Sequence, residues 1–339
     1  MATKKNADPD KHVQTAMDVL SPSGFNTYKA CPFKFYLTYR MGIREPGTKA
    51  TYRGTLVHKV CEELIAFKIS GMRSTWKMEV LAEAQRLFDY RWGRYKSLHN
   101  EPEAFKQQTW MMVKNFALAL IANMEGMVAS MPNFALKSLW TMSKPRSEEK
   151  LDLKKQHKLH GTADLIMDGE EVVTRSDYVE FVEKSPEESA IVQSWFAAKD
   201  QMEELTIADI KTSKIYKLAF SNEYKVQLMF YALLFWLKHE RMPTYAAINF
   251  VAYGIQAYFE IIPDHVYALH EEIKTLQLKC VSDYDSAAAW PADTDSTFCK
   301  WCWMGKATYN AAGQVIKPAE CVSGWKKWSE DGTVVHGKT

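Results

Sequence analysis

"LTIADIKTSK" (205–214) sets an aspartate and a lysine at the end of a short apolar run. The run predicts a strand over 205–211, and in a strand residues i and i+2 project from one face. Asp209 and Lys211 then share one face of a stiff element. Two opposite charges there have a plain explanation, a strand edge in water. They also have a chemical one, an exposed carboxylate that holds a metal beside an ammonium that steadies a phosphate. The pattern of the surrounding chain bears on which reading holds.

Upstream, "SPSGFNTYKACPFKFYLTYRMGI" (21–43) opens with N-cap-type residues and runs into an aromatic-rich helix. "RGTLVHKVCEELIAFKIS" (53–70) places Leu56, Val60, Leu64 and Phe67 on one face of an amphipathic helix. Helical stretches over 75–97 and 103–130 complete a helical N-terminal third. The period then changes: "FALKSLWTM" (134–142) and "KLDLKKQHKLHGTADLIM" (150–167) alternate and read as strands. Residues 168–204 are polar and acid-rich, an insertion with little core content. "NEYKVQLMFYALLFWLKH" (222–239) is a strongly apolar helix, and "YAAINFVAY" with "QAYFEII" (245–262) forms a strand pair turning near Gly254. A helix over 264–288 leads into a cysteine-bearing tail. This order predicts an α/β fold with one mixed sheet flanked by helices. The expected organisation is a disordered leader (1–20), a helical region (21–133), a core (134–290) carrying the insertion, and a C-terminal region (291–339).

The 339 residues, 47% hydrophobic and 25% charged, suit a chain that buries a sizeable core, and a net charge of +2 neither demands nor excludes a polyanionic partner. The apolar run "MFYALLFWL" (229–237) falls short of the roughly 20 residues that span a membrane. With a polar opening, "MATKKNADPDKH", that carries no secretory signal, the expected location is cytoplasmic, the host cytoplasm if the chain is phage-encoded. No repeat, low-complexity tract or G-x-x-x-x-G-K-[ST] motif occurs. Six cysteines in such a chain do not suggest a disulfide framework. A zinc ribbon wants two C-x-x-C knuckles, and only Cys299 and Cys302 form one. Cys61 and Cys280 read as buried thiols.

Other residues carry candidate chemistry. Asp164 in "HGTADLI" follows Gly161, whose missing side chain leaves room for a ligand or another backbone. His58 and Glu62 lie at i, i+4 on one helix face, as do Gln227 and Tyr231 on another. Each also has a structural explanation: a satisfied histidine, an exposed aspartate, a core helix with polar tips. Hydrolysing a phosphodiester needs a nucleophile near neutral pH and compensation for charge on phosphate oxygens. Divalent metals on carboxylates supply both. Carboxylates suit Mg²⁺ or Mn²⁺, an imidazole tilts the choice towards Mn²⁺, and Lys211 adds a point charge for phosphate or attacking water. Lys214, Lys217 and Lys225 are phosphate contacts or a solvated face. Of eleven tryptophans and sixteen tyrosines, most belong to the core.

The six blocks "SPSGFNTYKACPFKFYL", "GTLVHKVCEEL", "GTADLI", "IADIKTSK", "VQLMFYA" and "CKWC", in this order, resemble the RecB-like branch of the PD-(D/E)XK nuclease superfamily, which includes CRISPR-associated and AddB-type nucleases. The resemblance implies a restriction-endonuclease-like sheet in which His58, Asp164, Asp209 and the main-chain carbonyl of Ile210 hold Mn²⁺ or Mg²⁺. It implies that Lys211 is the catalytic lysine and that Gln227 and Tyr231 position the substrate strand. It further implies a [4Fe–4S] cluster on Cys31, Cys299, Cys302 and Cys321, closing the C-terminal region onto the first helix. Two spacings depart from the family: 44 residues separate Asp164 from Asp209, and 18 separate Cys302 from Cys321. The resulting expectation is a metal-dependent DNA exonuclease acting on single-stranded or frayed ends, in phage recombination or replication. The alternatives are a CRISPR-adaptation endonuclease trimming spacer precursors, or a catalytically silent iron–sulfur DNA-binding module. A recombination or CRISPR-adaptation protein is the expected partner besides DNA, with no membrane partner.

Overall fold

The helix expected over 21–43 is two helices. Cys31 stands before Pro32, and a residue ahead of proline is driven out of the helical region. In a computed structural model of the chain Cys31 is extended (φ −165°, ψ 109°), ending α1 (Pro22–Ala30) and capping α2 (Pro32–Tyr39). The structure describes residues 17–43, 47–167, 205–213, 218–293, 302, 304, 308–309, 315–317 and 321. Residues 1–16 of the leader, the 168–204 insertion, Lys214, Lys217 and Cys299 lie outside the described residues.

Further along come α3 (Lys49–Ala66), α4 (Trp76–Arg94), α5 (Glu103–Ser130) and α6 (Leu136–Met142). They are followed by β1 (Arg146–Leu153), β2 (Leu159–Met167), β3 (Thr206–Lys211), α7 (Leu218–His239), β4 (Tyr245–Phe250), β5 (Ile255–Glu260) and α8 (Pro263–Ser282). Two short strands, β6 (Thr308–Tyr309) and β7 (Val315–Lys317), pair antiparallel. α3 starts at a capping box, in which the Thr48 and Thr51 side chains satisfy each other's backbone N–H.

The strand expected over 134–142 is the helix α6. Leu136, Leu139 and Trp140 are buried together, an i, i+3, i+4 pattern that fits a helical period rather than alternation. Trp140 also donates its indole N–H to the Phe67 carbonyl at 2.9 Å. α8 likewise stops at Ser282, before the expected 288. Beyond it the chain turns, and Trp290 donates its N–H to the Asp283 carbonyl at 3.0 Å.

The chain divides into two compact units. The larger (47–152 and 161–269) contains the sheet, ordered β1-β2-β3-β4-β5. β2 runs antiparallel to β3, β3 parallel to β4, and β4 antiparallel to β5. Parallel neighbours need a crossover connection, which α7 supplies between β3 and β4. β3 is central, and Thr206 to Ile210 are all buried, which explains its apolar composition. Ala208 and Ile210 join Leu165, Met167 and Ala247 in a core with α3, α4, α5 and α6, where Leu56, Val60, Val80, Leu120 and Trp140 pack. Each buried Leu, Ile, Val or Met among them contributes about 1.5–3 kcal/mol. Alternation then sends Asp209 and Lys211 to the opposite face, under α7.

The smaller unit (1–46, 153–160 and 270–339) is organised around Trp290. Phe35 meets it at 5.7 Å and Tyr28 edge-on at 6.2 Å, while the Lys279 ammonium sits 4.7 Å from its ring centre. Leu20 bridges Leu159 in parallel. Among the described residues no helix is long and apolar enough to cross a membrane.

Candidate active site

The carboxylate of Asp209 is not the exposed group that the sequence suggests, for the residue is only 3% exposed. β3 is covered on both faces, and α7 closes over its second one. Lys211 Nζ lies 2.5 Å from Asp209 Oδ2, and Gln227 Nε2 donates to Asp209 Oδ1 at 3.2 Å. Gln227 Oε1 accepts from Lys211 Nζ at 3.0 Å, and Gln227 Nε2 also donates to the Tyr231 hydroxyl at 3.2 Å. One carboxamide therefore ties the acid, the ammonium and the phenol together, and its orientation is fixed by what each partner can donate or accept.

Asp164 reaches this group by a different route. The registered pairing of β2 with β3 ends at Leu165 opposite Ala208, one residue short of Asp164. The Ile210 N–H instead donates to Asp164 Oδ2 at 2.8 Å. The other oxygen, Oδ1, faces His58 Nδ1 of α3 at 3.4 Å. A side chain thus takes a main-chain bond at the point where the strands part, which brings α3 and β3 to one carboxylate.

The electrostatics follow from burial. Burial pushes the Asp209 carboxyl up to about 6; Lys211 opposes this, while the charge of Asp164 adds to it. Burial also raises Asp164, but the hydrogen bond and charge of His58 and the Ile210 N–H outweigh it and hold Asp164 below its ordinary value. Burial works against the His58 and Lys211 cations too, and in each case the neighbouring carboxylate prevails and raises the group. Lys211 is thus favoured as a cation beside Asp209. The Tyr231 hydroxyl is pushed up by burial and stays protonated.

His58, Asp164, Asp209, Ile210, Lys211, Gln227 and Tyr231 thus form one connected group. Glu62 is not in it, because its carboxylate pairs with Lys59. Gly161 makes room for neither ligand nor backbone: a β-carbon there would stand 2.7 Å from Leu234 Cδ1 and 3.1 Å from the Tyr231 ring. Its bare backbone admits α7. Lys225 lies over the Phe259 ring at 5.7 Å. The sequence reading overlooked Tyr224, whose ring centre is 4.9 Å from Lys211 Nζ. Its signal was the spacing 224, 227, 231, a single face of a helix.

These positions can be set beside known proteins. Residues 19–178 match the PD-(D/E)XK nuclease superfamily. The superfamily match covers 160 of 339 residues, takes in His58 and Asp164, and ends before Asp209, Lys211, Gln227 and Tyr231. The five-stranded mixed sheet flanked by helices is consistent with a restriction-endonuclease-like fold. No curated protein matches the chain.

Superfamily nucleases use divalent metals, and the donors here suit a hard cation. Asp209 Oδ2 is buried and takes no aligned hydrogen bond, with Lys211 the nearby charge that offsets it. Two carboxylates and an imidazole are linked at that point. Asp164 faces His58 and Asp209 faces Lys211, and among the described residues no group of three or more His, Cys, Asp or Glu is arranged to hold a metal ion. Of the candidate cluster cysteines, Cys31 is half-buried with Sγ 3.4 Å from the Lys34 N–H, Cys302 is half-buried, and Cys321 is buried. All three belong to the smaller unit. Cys61 is wholly buried in the larger unit and its thiol is raised by burial, while burial pushes Cys280 up to about 12.

Proposed function

We propose that the chain is a divalent-metal-dependent DNA nuclease, acting as an exonuclease on single-stranded or frayed ends in phage recombination or replication. The observation that carries this reading is the buried Asp209–Lys211 pair joined through Gln227 and flanked by Asp164 and His58. Asp164, Asp209, His58 and the Ile210 carbonyl are the residues that would hold Mn²⁺ or Mg²⁺, His58 giving up its proton and its contact with Asp164 to do so. When bound, the ion supplies an activated water and neutralises phosphate charge. Lys211, kept protonated by its neighbours, donates to a phosphate oxygen. Gln227 fixes the direction of the lysine and the rotamer of Asp209 at once, and Tyr231 fixes Gln227. Until then His58 holds Asp164 ionised, so that carboxylate keeps its charge for a cation. Cys31, Cys299, Cys302 and Cys321 hold an iron–sulfur cluster. This is supported by the three described members sharing one compact unit.

End-labelled single- and double-stranded DNA incubated with Mn²⁺ tests the reading. Mononucleotide release from single strands and frayed ends is expected, and it should vanish on chelation and in Asp209→Ala. Uncut DNA with either metal, or full activity of Asp209→Ala, refutes it.

A further inference from the structure

Lys211 is steered by more than its carboxylate. The Tyr224 ring centre lies 4.9 Å from its ammonium, and the Tyr224 hydroxyl is 3.1 Å from Ser213 Oγ. The same ring meets Phe250 of β4 at 6.3 Å, tilted by 59°. Tyr224 therefore reaches from α7 to the segment leaving β3 and covers the lysine between them. Packing alone does not account for this placement. Tyr224 is half-buried, whereas the core of α7 is built from the fully buried Phe230, Leu233 and Leu234.

A lysine on a four-carbon stem has many rotamers, and Asp209 and Gln227 occupy only part of its donor shell. An aromatic face attracts an ammonium through its quadrupole, most strongly where water is scarce. The Lys211 side chain is only 19% exposed, so the ring acts where that attraction counts. We propose that Tyr224 is a positioning residue. Its ring backs the Lys211 ammonium towards Asp209 and Gln227, its hydroxyl latches Ser213, and the lysine is left with one directed donor for a bound phosphate.

This inference rests on the reading of Lys211 as the catalytic lysine, and two readouts separate the two ideas. Steady-state cleavage of one DNA substrate is measured first. Tyr224→Leu should lower kcat about tenfold, the ring's share of the lysine's placement, with KM changed by less than about twofold. Tyr224→Phe keeps the ring and should recover most of that loss. Equal losses in both variants overturn the ring's role. The second readout uses metal-free, DNA-free protein with ¹³C-labelled, chemically unmodified lysines, with the Lys211 Cε–Hε signal assigned by its loss in Lys211→Arg. The Tyr224 ring current should displace that signal from those of the solvated lysines, and Tyr224→Leu should return it. A signal already at the solvated position in the unsubstituted chain overturns the proposal, even if the Leu variant fails to fold. A displaced signal in a protein that cuts no DNA would refute the nuclease reading and leave the Tyr224–Lys211 contact standing.

Discussion

Two glycine-to-alanine changes in the larger unit should move stability in opposite directions. Gly161 does not use the left-handed backbone that Gly42, Gly71 and Gly254 adopt, so alanine meets no backbone strain there. Its β-carbon would stand 2.7 Å from Leu234 Cδ1 and 3.1 Å from Tyr231 Cε1. Leu234 is fully buried, and its methyl cannot swing aside in an interior packed like a crystal. Overpacking of this kind costs about 1–3 kcal/mol. The lower entropy of the unfolded alanine chain offsets about 0.4–1 kcal/mol. Gly161→Ala should therefore lose about 1–2 kcal/mol net. Gly54 differs: its β-carbon meets only Thr212 Oγ1 at 3.5 Å, an ordinary contact. It lies inside α3, where alanine is favoured by about 1 kcal/mol. Gly54→Ala should gain about 0.5–1 kcal/mol. Urea unfolding checks both, read as midpoint shifts at unchanged slope. Gly161→Ala as stable as the unsubstituted chain, or both midpoints moving the same way, would refute the view that Gly161 exists to admit α7.

With divalent metal chelated, Asp209 should weaken the fold as it ionises. Its folded carboxyl sits at about 6 against an ordinary 3.8, so stability present at low pH is lost as pH rises from about 4 through about 6. Asp209→Asn should then be more stable than the unsubstituted chain by up to about 3 kcal/mol at pH 8, and no more stable near pH 4; a pH-independent difference in thermal unfolding would contradict this. If the four cysteines hold a cluster, anaerobically purified protein should be brown with roughly four irons per chain. Cys31→Ser should bleach it while nuclease activity tracks the folded fraction; zinc at near one-to-one, with no iron, would replace the assignment.

What the sequence determined by itself was whatever depends on neighbours along the chain. The apolar run at 205–211 specifies a strand, two-residue spacing puts Asp209 and Lys211 on one side of it, and 227 and 231 fall on one helical face. The alternation at 134–142 suggested a strand, but the segment is helical, with Leu136, Leu139 and Trp140 buried together and Trp140 bonded to Phe67. Likewise the sequence could not say that Asp209 is buried, because burial comes from α7 folding back over β3. It could not assign Gly161 to Leu234, 73 positions away. Nor could it foresee that Asp164 takes the Ile210 N–H, since that bond exists only where β2 and β3 stop pairing. Local spacing sets which way a side chain points, whereas what it meets there depends on chain segments that only folding brings near.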